Sequence, residues 1–283
     1  QKTAYEIMPS LVGSEMCIRD SSVSRIKNRL ASLNGNKALV AFYTAGDPDM
    51  EASKEIFAVI EKNGADIVEI GVPFSDPLAD GPTIQASSHR SLKNGTTLKK
   101  IIQMVADIRK TSELPIVLMT SFNPIFVYGQ KEFVADAVKA GVDGVIIPDL
   151  PHEEAEKFLA IADRLDMIFL LAPTSTLDRV KQIGKISKGF IYYISLTGTT
   201  GTKQSLSVGL EEKVGEIKNS VSLPVLVGFG ISGPEQAAQA AKVSDGVILG
   251  SAIVKLIETN SNPVERDRKL GEFLTSIKKA INS

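Results

Sequence analysis

Gly64-Ala-Asp66-Ile-Val68 ends an amphipathic stretch and opens a short apolar run. The same join recurs at Gly141-Val-Asp143-Gly-Val145 and Val243-Ser-Asp245-Gly-Val247. Two further runs open with Leu114-Pro115 and Leu223-Pro224, and a proline costs little at a strand's first residue because its missing donor is often unpaired there. Working outward from these joins, the predicted strands are Ala38–Tyr43, Asp66–Ile70, Pro115–Thr120, Gly144–Pro148, Met167–Leu171, Phe190–Ser195, Pro224–Val227 and Gly246–Leu249. They are nearly continuous apolar runs, as parallel strands covered on both faces should be. Helical segments lie between them. Lys131–Ala140 puts Phe133, Val134, Ala137 and Val138 on one face, the spacing of a helix packed on a sheet. Asn262-Pro263 opens a closing helix with Leu270, Phe273, Leu274, Ile277 and Ile281 on its buried side.

Repeated strand-then-helix units require right-handed crossovers rather than hairpins. About eight of them suit a closed barrel of ~250 residues. The predicted fold is α/β, a single (β/α)8 TIM barrel with an extra N-terminal helix. The alternative is an open doubly wound sheet. That fold more often carries a glycine fingerprint after its first strand, and Thr44-Ala-Gly46-Asp-Pro48 is not one. No Pro/Gly/Ser-rich linker divides residues 22–283, which read as one barrel domain.

Composition narrows the function. Of the 283 residues 43 % are hydrophobic, enough for a large core, and the net charge of -1 points to neither nucleic acid nor membrane as partner. No apolar run approaches the ~20 residues of a membrane span. Cys17 is the only cysteine, so there is no disulfide framework, and a reducing, cytoplasmic setting is expected. With His89 and His152 as the only histidines, no metal site is expected. Neither histidine is assigned catalytic work: His89 falls in a polar helical stretch and His152 near a helix start. Residues 1–21 show no helical or strand period. Ser10 to Ser21 resembles a translated sequencing adapter, so this segment reads as an artefact or a disordered extension outside the fold. The alternative is a native N-terminal arm.

In such a barrel the chemistry belongs at the C-terminal ends of the strands. Glu69 interrupts the apolar second strand just before its loop. A carboxylate there is costly unless paired or used, so it is either catalytic or in an ion pair with a neighbouring strand. The loop Val72 to Pro82 is stiff and acidic, with three prolines and two aspartates. Its Asp80 is either a helix cap or, with Glu69, half of an acid and base pair. Glycine-rich turns follow the seventh strand (Gly228-Phe-Gly230-Ile-Ser-Gly233) and the eighth (Gly250-Ser251). Each runs into a helix, so backbone amides and the helix dipole can hold a phosphate there without Lys or Arg. The loop Ser195 to Ser205 is long, polar and small-residued, which suits a mobile lid.

Read together, Glu69-Ile-Gly-Val-Pro-Phe-Ser-Asp76-Pro-Leu-Ala-Asp80-Gly-Pro-Thr-Ile-Gln85 resembles the signature of the tryptophan synthase alpha subunit family. The likeness continues through Phe42 to Pro48, Leu118-Met119, Asn123-Pro124, Pro148 to Pro151, Ser195 to Gly201, Gly228 to Ser232 and Gly250 to Val254. It covers essentially everything after residue 22. The resemblance implies a lyase that cleaves indole-3-glycerol phosphate to indole and glyceraldehyde 3-phosphate in tryptophan biosynthesis. Glu69 would protonate the indole carbon bearing the side chain, and Asp80 would serve the ring nitrogen. Phe42 and Tyr192 would line the indole site. Thr200 would close over Asp80, and amides of Gly201, Gly230, Gly250 and Ser251 would hold the phosphate. It also implies an alpha2beta2 complex with the beta subunit, docked near Asp76 and Asp149. Pyridoxal phosphate would sit on that partner, with no cofactor in this chain. Three alternatives share the barrel: a standalone lyase releasing free indole, another phosphate-binding barrel such as an isomerase of histidine or tryptophan synthesis, and a non-catalytic allosteric partner.

Overall fold

Every residue of β1 (Ala38–Thr44) is buried, as is every residue of β2 (Ile67–Gly71). An unbroken apolar run produces this when both faces of the strand are covered. The computed structural model describes residues 24–77, 80–195, 203–228 and 230–283, and side chains within 203–208 lie outside it. Residues 1–21, with Cys17, fall outside the described residues, as do Thr200, Gly201 and most of the expected lid. The first half of the chain continues from α1 (Arg25–Ser32), ahead of β1, to α2 (Met50–Lys62), α3 (Pro82–Lys93), α4 (Leu98–Ile108), β3 (Ile116–Met119), α5 (Phe122–Tyr128), α6 (Gln130–Ala140) and β4 (Gly144–Ile146). Next come α7 (Glu156–Ile161), β5 (Asp166–Ile168), β6 (Leu170–Leu171), α8 (Leu177–Ile186), β7 (Ile191–Ile194) and α9 (Lys203–Ser220). The chain closes with β8 (Val225–Gly228), α10 (Pro234–Val243), β9 (Gly246–Leu249), α11 (Ser251–Thr259) and α12 (Pro263–Ile281).

The strands form one parallel sheet in the order β5-β4-β3-β2-β1-β9-β8-β7-β6. The two ends of that order, β5 and β6, are separated in the chain by Phe169 alone. The sheet therefore returns on itself as a barrel. The predicted fifth strand, Met167–Leu171, is broken at Phe169, where pairing passes from β4 on one side to β7 on the other. Backbone N–H groups of Lys188 and Tyr192 donate to the carbonyls of Met167 (2.9 Å) and Phe169 (3.2 Å), carrying the closure across the break.

Alternation along each strand divides the core in two. Val40, Ile67, Val117, Ile146, Ile168, Phe190, Leu226 and Ile248 fill the barrel, while their sequence neighbours pack between sheet and helices. The extra helix α1 covers the N-terminal end. Its Ile26 is fully buried with the inner group. Gly144 leaves it room, because a Cβ there would come within 3.1 Å of Ile26 Cδ1.

The recurring aspartate joins acquire a physical role at this end. Asp66 Oδ2 accepts the Leu39 N–H at 2.7 Å, Asp143 Oδ2 that of Ile116 at 2.9 Å, and Asp245 Oδ2 that of Val225 at 2.9 Å. Each aspartate thus satisfies a donor near the start of the adjacent strand, where the ladder has not yet begun. Each also meets a cation: Arg29 and Lys278 on Asp66, Arg25 and Arg109 on Asp143, Lys218 on Asp245. The prolines of the Leu-Pro joins contribute as acceptors, Pro115 O to Val68 N–H (2.9 Å) and Pro224 O to Ile191 N–H (2.8 Å).

Candidate active site

The barrel interior opens at its C-terminal end, where the last inward-facing residues of the strands meet. Phe42 is in register with Glu69, and Glu69 with Val117. Tyr192 is in register with Leu170 on one side and Leu226 on the other. These positions open into a cavity of about 530 Å³. Phe42, Glu69, Asp80, Tyr192, Gly230, Gly250 and Ser251 all line it. The remaining expected site residues, Thr200 and Gly201, lie outside the described residues. His89 and His152 do not line it; His152 Nε2 instead faces Gln182 Oε1 at 2.9 Å.

Glu69 is 1 % exposed. Its Oε2 has no hydrogen-bond partner, and among the described residues no cation reaches it, so the ion-pair alternative has no counterpart there. Burial, and secondarily the charge of Asp80, push its carboxyl up to about 8. Asp80 is less enclosed, and burial raises it to about 6. Nor is Asp80 the helix cap: Gly81 holds that position and α3 has no side-chain cap bond. The Asp80 backbone is fixed, with its N–H on Pro77 O (3.3 Å) and its carbonyl receiving Gln85 Nε2 (2.8 Å). Two carboxyls thus share one apolar cavity, and the more exposed ionises first. Near neutral pH this leaves one proton donor and one proton acceptor in the same pocket. Burial, together with both carboxylates, holds the Tyr192 phenol well above its ordinary pKa, so it stays a neutral donor.

Two glycines shape this space. A Cβ on Gly71 would lie 2.5 Å from Phe42 Cζ, and one on Gly228 would lie 2.6 Å from the Tyr192 hydroxyl. Each glycine gives an aromatic ring its place against the strand. Sequence reading took both only as strand ends or loop glycines. The available signal was glycine within an apolar strand, which marks a close approach. Also missed was the apolar wall of Ile84, Met119, Leu170, Ile194, Ile231 and Ile248. Inward parity was its signal for the strand residues, but which of them lie at the mouth depends on barrel closure.

Also lining the cavity, Gly250 is the N-cap of α11 and Ser251 its first residue. The first amides of a helix have no partner within it and favour an anion. Gly230 has a φ of +78°, a backbone state that glycine adopts without strain. The nearby Ser232 N–H and hydroxyl are both taken by Gln236 Oε1 at 2.7 Å, so neither is free to meet an anion.

The sequence profile of the family described as "Tryptophan synthase alpha chain" matches residues 29–282. The chain belongs to the tryptophan synthase alpha chain family. Among its relatives, the alpha chain of Geotalea uraniireducens (strain Rf4) is 51 % identical, spanning 92 % of this chain and 99 % of the relative. The crystal structure of tryptophan synthase subunit alpha from Legionella pneumophila str. Paris is similar with a TM-score of 0.84 at 37 % identity, covering 92 % of this chain and 99 % of that one. A chain of Mycobacterium tuberculosis tryptophan synthase in an aminoacrylate-bound form gives 0.81 at 34 % identity, covering 92 % and 100 %. Alpha-chain family members thus share this barrel over nearly all of the described sequence. Among the described residues, no group of acidic, His or Cys side chains is placed to hold a metal. No helix among them is long and apolar enough to cross a membrane.

Proposed function

We propose that this chain cleaves indole-3-glycerol phosphate to indole and glyceraldehyde 3-phosphate, as the alpha subunit of a tryptophan synthase. The single observation that carries the reading is the pairing of Glu69, held up to about 8, with Asp80, held to about 6, in one apolar cavity. Protonated Glu69 delivers its proton to the ring carbon that bears the glycerol phosphate. Ionised Asp80 takes the ring N–H proton, and the ring becomes an electron sink. The carbon–carbon bond then breaks, with its electron pair passing into the ring. The side-chain hydroxyl gives its proton to the Glu69 carboxylate and becomes the aldehyde, and the nitrogen regains its proton from Asp80. Both carboxyls end as they began.

The apolar wall with Phe42 and Tyr192 suits a planar bicyclic ring. Gly230, Gly250 and Ser251 offer backbone amides to a phosphate, and Thr200 and Gly201 are assigned by resemblance to the closed lid and phosphate grip. In this family pyridoxal phosphate belongs to the beta subunit, and every step above uses this chain's own side chains. A docking face for that subunit is supported next to the mouth. There Asp149 Oδ1 accepts the Phe122 N–H at 2.8 Å, and α5 exposes 64 % of Phe126 and 77 % of Val127. Exposed large apolar side chains together mark interaction surfaces. A cytoplasmic location fits the reading. The test is indole release from indole-3-glycerol phosphate, with and without a beta subunit. Release that accelerates with the partner supports both halves of the proposal. Fast release unchanged by the partner favours a standalone lyase, and no release in either case contradicts the catalytic reading.

A further inference from the structure

Helices α3 and α11 both start at the cavity. The loop into α3 carries Asp80, and the first turn of α11 carries Gly250 and Ser251. They touch at that level, where Ile84 Cδ1 lies 3.8 Å from where a Gly250 Cβ would stand. About two turns further along both helices, Arg90 of α3 donates through Nη1 to Glu258 of α11 at 2.9 Å. The same guanidinium donates through Nε and Nη2 to both oxygens of Asp47, at 2.9 and 2.8 Å. Asp47 is buried, with 4 % of its surface exposed, in the loop after β1. Ser91 adds a bond to Ala45 O at 2.5 Å and Asn94 one to Gly46 O at 3.3 Å. The far half of α3 is therefore fastened at several points to the β1 loop, and Arg90 alone joins it by charge to α11 among the described residues. A planar guanidinium can hold two carboxylates in fixed directions, which a lysine ammonium does not.

We propose that Arg90 is a positioning residue that fixes the spacing between the Asp80 carboxylate and the anion cradle at Gly250 and Ser251. It does so by tying α3 at once to the β1 loop and to α11. The proposal deepens the reading of the site as one that grips an indole and a phosphate at opposite ends. Arg90 touches neither. Its effect falls on a substrate that must bridge both ends and spares a ligand that occupies one end.

The test uses the full chain as wild type, Glu258→Gln and Arg90→Lys. Three readouts are taken: kcat and KM for indole-3-glycerol phosphate cleavage, saturation by indole alone and by inorganic phosphate alone, and the thermal midpoint. Glu258→Gln removes two partly exposed pairs, with Arg90 and with Lys255, so its midpoint stays within about 3 °C of wild type. It keeps the bond from Arg90 to Asp47. The expected result is a KM raised about five-fold in Glu258→Gln and about ten-fold in Arg90→Lys, with kcat lowered less. Binding of indole alone and of inorganic phosphate alone stays within about two-fold of wild type, on the same scale. Unchanged KM in both variants overturns the proposal. So does a loss that appears equally in the single-end ligands, or one that merely follows the folded fraction. If the wild type itself fails to release indole, the functional reading fails instead. The clamp is then judged by a two-ended test, binding of indole in the presence of inorganic phosphate. Cooperation between the two ligands that is lost in Glu258→Gln upholds the clamp, and cooperation unchanged in that variant rejects it.

Discussion

The recurring aspartates at the N-terminal end of the barrel and the two carboxyls at its C-terminal end are treated in opposite ways. At the N-terminal end Asp66, Asp143 and Asp245 each accept a strand N–H and meet at least one cation. At the C-terminal end Glu69 and Asp80 face a cavity, and Glu69 has a buried oxygen with no partner. The first arrangement satisfies every charge and ties helices to strands. The second leaves charge unsatisfied, which holds Glu69 in the protonated form and makes a proton available near neutral pH. The contrast separates residues that hold the barrel together from the residues proposed to perform chemistry, and it does so by partner rather than by burial, since Asp66 is as buried as Glu69.

The sharpest way to break the comparison is to neutralise one carboxyl at each end. Glu69→Gln is expected to lower kcat by about a thousand-fold or more, the scale of a lost general acid, with substrate binding largely intact. The same change should stabilise the fold at high pH. Glu69 is raised in the folded protein, so its favourable contribution is complete below its unfolded pKa and is lost as pH rises through about 8. The thermal midpoint of Glu69→Gln should therefore gain on wild type between about pH 5 and about pH 9. A midpoint that falls instead would place a hidden partner on Glu69.

Asp143→Ala should do the reverse. Removing it leaves Arg109, whose side chain is 9 % exposed, without its charge partner. The expected cost is about 3 kcal/mol of stability, with turnover per folded molecule nearly unchanged. Loss of turnover without loss of stability would erase the distinction between the ends.

The pH profile sharpens the upper end. If Asp80 must be ionised and Glu69 protonated, kcat/KM rises as pH passes about 6 and falls as it passes about 8. The residual activity of Asp80→Asn should lack the acid limb and keep an alkaline one, shifted to lower pH as the Asp80 charge is lost. The smallest effect is expected from Gly71→Ala, whose Cβ would displace the Phe42 ring. A rise in KM of about five-fold, with the pH limbs in place, is the outcome for a residue that shapes the indole site but carries no proton.

Much of this was legible before the fold was known. Apolar runs with glycine and proline at their ends marked the strands, and Glu69 and Asp80 stood out as acidic residues where a barrel gathers its chemistry. The Asp66, Asp143 and Asp245 joins were legible as a repeat, but their hydrogen bonds were not, because each acceptor serves a donor on a different strand. The break at Phe169 was hidden for a similar reason. Its residues are as apolar as a continuous strand, and only closure assigns its halves to different neighbours. The ion-pair alternative for Glu69 and the cap alternative for Asp80 fall away through what these residues do not touch, a property that sequence spacing cannot carry. Gly71, Gly228 and Arg90 act across elements far apart in the chain, so nothing local distinguished them from an ordinary turn glycine or a surface arginine.

The most direct measurement is a carbon-13 NMR titration of the Glu69 side-chain carboxyl, repeated in Asp80→Asn. An unpartnered carboxyl in the cavity predicts a midpoint near 8 in wild type, moving down when the Asp80 charge is removed. A wild-type midpoint in the ordinary carboxylate range, close to 4.5, would mean that Glu69 is a carboxylate throughout the working pH range and does not supply the proton.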